Sequence, residues 1–251
     1  MNNTRRQLIT GVSLIGASAL LIGCQKSAET GTATNRETKA DEVSSDEAAA
    51  EVSATEDLMR EHGIIRRALL VYQESAANLK QDPNSVPVDA LEKTAQLIRA
   101  FGEDYHEKRL EEAFILPAIK KIQNPASVYA DVLTAQHARG REITDYVLAI
   151  TKGDKIPAAS VEEFIKALES LVRMYEHHAA IEDTIIFPAW KAAVGDRRLD
   201  ELGAKFEEIE SETFGGDGFD AVQKRISEIE QNLGLSNLDM FTAPPLSSKK
   251  T

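Results

Sequence analysis

The sequence predicts an all-α protein whose main domain is an up-down-up-down antiparallel four-helix bundle followed by two short C-terminal helices. Apolar residues recur at helical spacing from Glu56 onward, and no stretch shows the period of two that a strand requires. Proline and glycine clusters divide this region into four long segments separated by short turns, and short turns join antiparallel neighbours. All five histidines fall within the four long segments.

Each predicted helix is bounded by residues that start or stop helices. Pro83 and Pro87 end the first helix, and Pro125 suits the first turn of the third. Ser160 with Glu163 predicts a capping box at the start of the fourth helix. The predicted helices span residues 55–80, 88–121, 125–152, 161–194, 196–213 and 219–233. The domain is therefore predicted to cover residues 56–236, and residues 237–251 are predicted to form a flexible tail.

Residues 1–23 resemble an export signal. Arg5 and Arg6 precede an uncharged apolar run over residues 8–23, which is short for a bilayer span and suits the core of a signal peptide. The paired arginines are typical of twin-arginine export, and LIGC at residues 21–24 resembles a lipobox, in which Cys24 becomes lipidated. These features predict an exported lipoprotein that Cys24 anchors to the membrane, on the periplasmic face or the cell surface.

Residues 24–55 are predicted to form a disordered tether between the lipid and the folded domain. They contain much Ala, Ser, Thr and Glu, and no aromatic residue. Such a segment cannot bury enough apolar surface to offset the entropy lost on ordering.

The overall charge excludes some classes of partner. The chain has 29 Lys and Arg residues against 41 Asp and Glu residues, which gives a net charge of −12. This balance disfavours nucleic acids and anionic membrane surfaces as partners. The single cysteine excludes an internal disulfide framework. No feature of the sequence identifies a protein partner.

Two stretches in the second and fourth helices nearly repeat each other. They read YHEKRLEEAFILPA over residues 105–118 and EHHAAIEDTIIFPA over residues 176–189. When the two are aligned on their prolines, His106 falls on His177 and Glu111 falls on Glu182. The apolar run after each acidic pair places the carboxylates near the inward face, where a carboxylate is costly unless it is paired or coordinates a metal.

The histidines are predicted to lie at one level of the bundle. His62 and His106 are similarly distant from the first turn, His106 and His137 from the second, and His137 and His178 from the third. In antiparallel neighbours, equal distance from the shared turn means equal height. Imidazoles and carboxylates without thiolates suit iron, manganese or zinc, and this many ligands exceed the needs of one ion. The residues therefore predict a buried pair of metal ions bridged by carboxylates.

The set of motifs resembles the hemerythrin family, whose members are four-helix bundles. The resemblance covers residues 56–242 and rests on REHGIIR, YHEKRLEEAFILP, QHARGREITDY and HHAAIEDTIIFP, in this order. It implies a non-haem site with two iron ions, with manganese or zinc as the alternative. The ligands that it implies are His62, His106, Glu111, His137, His178 and Glu182, and His177 and Glu112 are further candidates, either as ligands or as residues that contact a ligand.

One spacing departs from the usual pattern of that family. Ligands four residues apart point the same way from an α-helix, as with His178 and Glu182, but Glu111 lies five residues after His106. A five-residue step turns the second side chain about 140° away from the first on a regular helix. A π-bulge restores the convergence, and such bulges are frequent at functional sites. The sequence therefore predicts a π-bulge between His106 and Glu111.

The resemblance implies a protein that binds O2, or a related ligand such as NO or peroxide, at an open iron position. Carriage, sensing and scavenging are all compatible with such a site. Two other classes remain open. One is a di-iron enzyme that acts on peroxide or NO, or that delivers iron for repair, and the other is a structural or storage module without gas chemistry. The sequence alone does not separate these classes, because all three need the same ligands.

Overall fold

The computed structural model describes residues 52–246, and every regular element within them is helical. Two π-helical segments join neighbouring α-helices without a break, so the α-helices of this region form six continuous helical stretches. The predicted all-α class is confirmed. The α-helices are α1 (Ala54–Gln81), α2 (Val88–Leu97), α3 (Leu116–Lys121), α4 (Ala130–Ile150), α5 (Val161–Ile181), α6 (Phe187–Val194), α7 (Asp196–Phe214) and α8 (Gly218–Asn232). The π-helical segments are π1 (Ile98–Ile115), which joins α2 to α3, and π2 (Glu182–Ile186), which joins α5 to α6.

The predicted N-terminal features lie outside the described residues. They comprise the export signal at residues 1–23, the lipidated Cys24 and nearly all of the tether. Within residues 52–246, no helix is both long enough and apolar enough to cross a membrane. A 3-10 turn at Leu238–Phe241 lies inside the segment predicted to be a flexible tail.

Two helix starts differ from the prediction. The capping box predicted at Ser160 is wrong, because this residue belongs to a 3-10 turn and has helical dihedral angles (φ −102°, ψ −9°) instead of extended ones. A capping box occurs at α1 instead, where the Ser53 N–H donates to Glu56 at 2.9 Å and the Glu56 N–H donates to the Ser53 hydroxyl at 3.4 Å. The third helix also starts later than predicted, because Pro125–Tyr129 forms a 3-10 turn before α4.

Both π-helical segments end two residues before a proline, π1 before Pro117 and π2 before Pro188. Proline has no N–H to donate to the carbonyl four residues earlier, and its ring clashes with that carbonyl. A wider turn, with hydrogen bonds to the fifth residue back, relieves this clash. The Leu116 N–H donates to the Glu111 carbonyl in this way. The near-repeat in the sequence therefore corresponds to a repeated local structure.

The long helical stretches pack around a shared apolar core. The four long stretches are α1, α2 with π1 and α3, α4, and α5 with π2 and α6. α1 contacts α5 and π1, and α4 contacts the same two elements, so each long stretch packs against two others. The side chains between them are fully buried, and burying one large apolar side chain contributes about 1.5–3 kcal/mol. Examples are Leu58, Leu69, Phe101, Phe164 and Leu168.

The helices α7 and α8 extend this core. α8 packs on α1 and α2, whereas α7 contacts α1, α6 and π1. Phe206 of α7 stacks on Trp190 with ring centroids 6.0 Å apart, and Phe214 meets Tyr105 edge to face at 5.2 Å. The C-terminal helices therefore belong to the same compact unit as the long stretches.

Gly140 of α4 leaves room for a buried tyrosine. A Cβ atom at this position would lie 1.9 Å from the Tyr175 hydroxyl oxygen. Gly140→Ala should therefore displace Tyr175 and lower the free energy of unfolding by roughly 1–3 kcal/mol, the usual cost of overpacking. Gly63→Ala in α1 is the matched control, because a Cβ there meets no atom within 4 Å and should stabilise the helix by about 0.5–1 kcal/mol. Thermal unfolding compares the two variants, and equal midpoints would contradict the packing argument.

Candidate metal centre

Four histidines, one from each long helical stretch, meet in the interior of the protein. His62 lies on α1, His106 on π1, His137 on α4 and His178 on α5, and all four side chains are buried. Their Nε2 atoms approach each other in two pairs. The distance is 3.0 Å between His62 and His106, and 3.1 Å between His137 and His178. The structure thus brings together the imidazoles that the sequence places at one level.

Glu111, which lies on π1, contacts one histidine of each pair. One of its carboxylate oxygens lies 3.3 Å from His106 Nε2, and the other lies 3.3 Å from His137 Nε2. π1 includes the whole interval from His106 to Glu111, so the predicted π-bulge is confirmed and is longer than predicted. The wider turn returns a side chain five positions later to the same face of the helix.

Glu182 joins the same two pairs through one oxygen. Its Oε2 atom lies 3.0 Å from His178 Nε2 and 3.4 Å from His62 Nε2. Glu182 follows His178 at the α-helical spacing of four residues, and π2 begins at Glu182 itself. Potential ligand atoms lie within 4.8 Å of one another in two such groups, one of Glu111, His137, His178 and Glu182 and the other of His62, His106 and Glu111.

The carboxylate oxygens of Glu111 and Glu182 are buried and accept no hydrogen bond from the described residues. The nearby Nε2 atoms contact them without hydrogen-bond geometry. Buried carboxylates are costly unless hydrogen bonds or a cation compensate them. Imidazole and carboxylate donors without thiolate suit iron, manganese or zinc. The residues present therefore fit a bound metal.

The Nδ1 atoms of the first histidine pair face carboxylates. His62 Nδ1 lies 2.7 Å from Asp183, and His106 Nδ1 lies 2.5 Å from Glu61. An imidazole that donates its Nδ1–H in this way keeps the Nε2 lone pair free for a metal. The hydrogen-bond network therefore assigns the tautomer that metal binding needs.

The second histidine pair has a carboxylate and an amide at the equivalent positions. His137 Nδ1 lies 3.0 Å from Glu112, and His178 Nδ1 lies 2.9 Å from the amide oxygen of Gln136. Both imidazoles can again donate from Nδ1, which leaves Nε2 free. All four Nε2 atoms are therefore available at the centre of the cluster.

The charges of the cluster shift the pKa values of its members. Burial would raise the pKa of Glu111, but His106 and His137 outweigh this effect and hold the pKa well below its usual range. Burial would lower the pKa of His137, but the nearby carboxylates of Glu111 and Glu112 raise it to about 10. Burial would also lower the pKa of His106, but the carboxylates of Glu111 and Glu61 raise it well above the usual value. A metal ion that binds here therefore displaces protons.

The two further candidates from the sequence lie outside the two groups of potential ligand atoms that contain Glu111. Glu112 contacts the Nδ1 side of His137, where Glu107 completes a third group of potential ligand atoms. Arg141 pairs with both of these carboxylates and offsets their charge, which disfavours a cation there. His177 is exposed and lines a surface groove between α1 and α5.

His177→Ala should leave the metal content unchanged, because this side chain is exposed and is absent from each cluster of potential ligand atoms in the described region. His178→Ala is the comparison, since the neighbouring imidazole lies 3.0 Å from Glu182 and its loss should lower the metal content. Metal analysis of the two purified variants measures the difference. Loss of metal from His177→Ala would contradict the placement of this residue.

Sequence reasoning did not single out Glu61, Asp183 or Gln136, which hold three of the imidazoles. Each stands next to one candidate ligand in the sequence, and the structure shows that it contacts a different candidate ligand on another helix. Glu61 precedes His62 and holds His106. The same relation holds for Asp183, which follows Glu182, for Gln136, which precedes His137, and for Glu112, which follows Glu111.

The region that contains the cluster matches a known protein family. Residues 53–190 match the family described as the hemerythrin HHE cation binding domain. The chain is 38% identical over 196 residues to uncharacterized proteins of Mycobacterium tuberculosis and Mycobacterium bovis, a match that covers 76% of this chain and 74% of each of those proteins. No solved structure gives a significant match. The chain belongs to the hemerythrin HHE cation-binding domain family.

Proposed function

We propose that this protein is a non-haem di-iron protein that binds O2, or a related small ligand such as NO or peroxide, at an open iron position. One observation carries the proposal. Two pairs of imidazoles are joined by Glu111 and Glu182, whose buried oxygens accept no hydrogen bond from the described residues. Membership in a cation-binding family supports a metal at this position. Manganese or zinc is the alternative to iron.

The proposed ligands would hold each of two ions with two imidazoles and a carboxylate oxygen from Glu111 or Glu182. This donor set leaves room for a small external ligand, because octahedral metals take six donors. Two bridged irons would supply redox chemistry and an open coordination position at this centre. The proposed ligands are His62, His106, Glu111, His137, His178 and Glu182.

We propose that the four long stretches run up-down-up-down as an antiparallel bundle around this centre. Short connections follow α1, α3 and α4, and short connections favour antiparallel neighbours. The contacts of α1 and α4 with both α5 and π1 support the same arrangement. In such a bundle each long stretch delivers one histidine to a common level.

Aromatic side chains of the core support the imidazoles. The Phe187 ring stacks on His62 with centroids 5.4 Å apart, and the Tyr175 ring meets His178 edge to face at 5.7 Å. Phe187 is fully buried and Tyr175 nearly so, so both rings restrict the access of water. A dry apolar surround and fixed ring orientations tune how a bound metal reacts.

We also propose that the protein is exported and anchored through a lipid on Cys24, with the residues from Cys24 up to the start of α1 as a tether. The Arg5–Arg6 pair and the apolar run support this proposal.

Deleting residues 25–50 should leave the metal content intact, because the proposed ligands begin at His62. Cys24→Ser should move the protein from the membrane fraction to the soluble fraction. Retention of this variant on membranes would contradict the anchor.

The test of the proposed function is metal analysis of the purified protein, with absorption spectra of its reduced form before and after exposure to air. The expected result is about two irons per chain and an oxygen-dependent band that reverses on deoxygenation. Two irons without a reversible band would contradict reversible O2 binding and favour an enzyme that acts on peroxide or NO or delivers iron. Absence of iron would contradict the di-iron proposal and favour a structural or storage module.

A further inference from the structure

The proposed ligands divide into two halves with the same donor atoms. The first half consists of His62 and His106, and the second half consists of His137 and His178. Each bridging glutamate contacts one histidine of each half. A difference in metal affinity between the halves therefore has to arise from the side chains behind the imidazoles.

Both imidazoles of the first half have a carboxylate behind them. His106 Nδ1 lies 2.5 Å from Glu61, and both side chains are only 1% exposed. His62 Nδ1 lies 2.7 Å from Asp183, whose other oxygen accepts from Arg66 at 2.6 Å. Asp183 thus shares its charge with an arginine.

The imidazoles of the second half have one carboxylate and one neutral amide behind them. His137 Nδ1 lies 3.0 Å from Glu112, which also pairs with Arg141. His178 Nδ1 lies 2.9 Å from the amide oxygen of Gln136. An amide oxygen carries only a partial charge, so it polarises the imidazole less than a carboxylate does.

The comparison of the halves reduces to one pair of residues. Asp183 and Glu112 are both arginine-paired carboxylates, so they distinguish the halves little. Glu61 behind the first half stands against Gln136 behind the second. A carboxylate on Nδ1 raises the basicity of the imidazole toward a metal, and the loss of such a partner typically costs 10–100-fold in metal affinity. The shorter contact, 2.5 Å for Glu61 against 2.9 Å for Gln136, acts in the same direction.

We propose that the two halves are unequal and that the half formed by His62 and His106 takes up the first metal ion, with about 10–100-fold higher affinity than the other half. This inference rests on the proposed metal-binding function. Glu61 and Gln136 are then positioning residues that set the order of loading without contacting the metal.

Cobalt(II) titration of the metal-free full chain tests this proposal, followed by visible absorption and calorimetry. Two binding steps alone do not decide it, because repulsion between two close cations separates the steps even in a symmetric site. The matched variants are Glu61→Gln and Glu112→Gln, which each replace one carboxylate by an amide of the same shape, in the first and second half respectively. Glu61→Gln should weaken the first step about tenfold or more, whereas Glu112→Gln should leave the first step unchanged and weaken the second.

The opposite change, Gln136→Glu, should tighten the second step, because it places a carboxylate behind His178. Gln223→Glu on α8 is its control, since this exposed side chain adds the same charge away from the cluster and should change neither step. Thermal unfolding of the metal-free variants verifies that each is folded. If Glu61→Gln does not fold, Gln136→Glu decides, because tightening of the first step instead of the second would overturn the proposal.

The outcomes separate this inference from the proposed function. Equal effects of Glu61→Gln and Glu112→Gln on the two steps would show equivalent halves and would overturn the inference, while metal binding would stand. Absence of cobalt binding by the unaltered chain would overturn both.

Discussion

Replacing Glu182 by alanine is expected to lower the bound metal from about two ions per chain to well below that number. One oxygen of Glu182 lies 3.0 Å from His178 Nε2 and 3.4 Å from His62 Nε2, so its loss removes a donor from both halves of the centre. His137→Ala should act in the same direction, because it removes one of the two imidazoles of the second half. Metal analysis of variants purified in parallel measures both effects.

Glu176→Ala is the matched control for Glu182→Ala. Glu176 is an exposed residue of α5, and its removal should leave the metal content at the level of the unaltered chain. Glu182→Gln keeps the shape of the buried side chain and separates loss of the ligand from loss of packing. Circular dichroism verifies that the variants remain helical. Unchanged metal content in both Glu182→Ala and His137→Ala would refute the ligand assignment.

Removing the metal is expected to destabilise the fold. A ligand that binds only the native state adds roughly 2.7–4.1 kcal/mol at concentrations 100 to 1,000 times its Kd. In a domain of this size, that contribution corresponds to a fall of roughly 5–16 °C in Tm when a chelator removes the metal. The structural reason is that Glu111 and Glu182 then keep buried oxygens without hydrogen-bond donors.

Thermal unfolding with and without the chelator measures this effect. Glu182→Ala is the control, because a variant that has already lost its metal should show little further change in Tm. A chelator that lowers the Tm of the unaltered chain and of Glu182→Ala equally would act through some other route. That result would contradict a stabilising metal at this centre.

The convergence of the histidines could be predicted because it depends only on the number of residues between each histidine and the adjacent turn. An error of a few residues in a predicted helix boundary changes these numbers little. The third helix illustrates this, because its α-helical part starts after the 3-10 turn Pro125–Tyr129 and His137 still reaches the cluster. The π-bulge could be predicted because the five-residue step from His106 to Glu111 is incompatible with a regular helix.

Features that depend on backbone dihedral angles could not be predicted in the same way. Ser53 and Ser160 both precede a glutamate by three residues, yet only Ser53 has the extended backbone that a capping box needs. The segment π2 could not be predicted from the spacing of the candidate ligands, because His178 and Glu182 keep the ordinary α-helical spacing. Three partners of the Nδ1 atoms, Glu61, Asp183 and Gln136, were missed because a polar residue beside a candidate ligand gives the same sequence pattern whether it faces solvent or the core.

The tyrosine at position 105 links the centre to helices that lie beyond the family match at residues 53–190. The Tyr105 hydroxyl donates to Glu61 at 3.1 Å, and Glu61 in turn contacts His106 Nδ1 at 2.5 Å. The Tyr105 ring packs against Phe214 of α7. A substitution in α7 can therefore act on the partner of His106 through Tyr105 while the proposed ligands stay the same. Relatives of this chain should be compared at the residues that contact this tyrosine as well as at the proposed ligands.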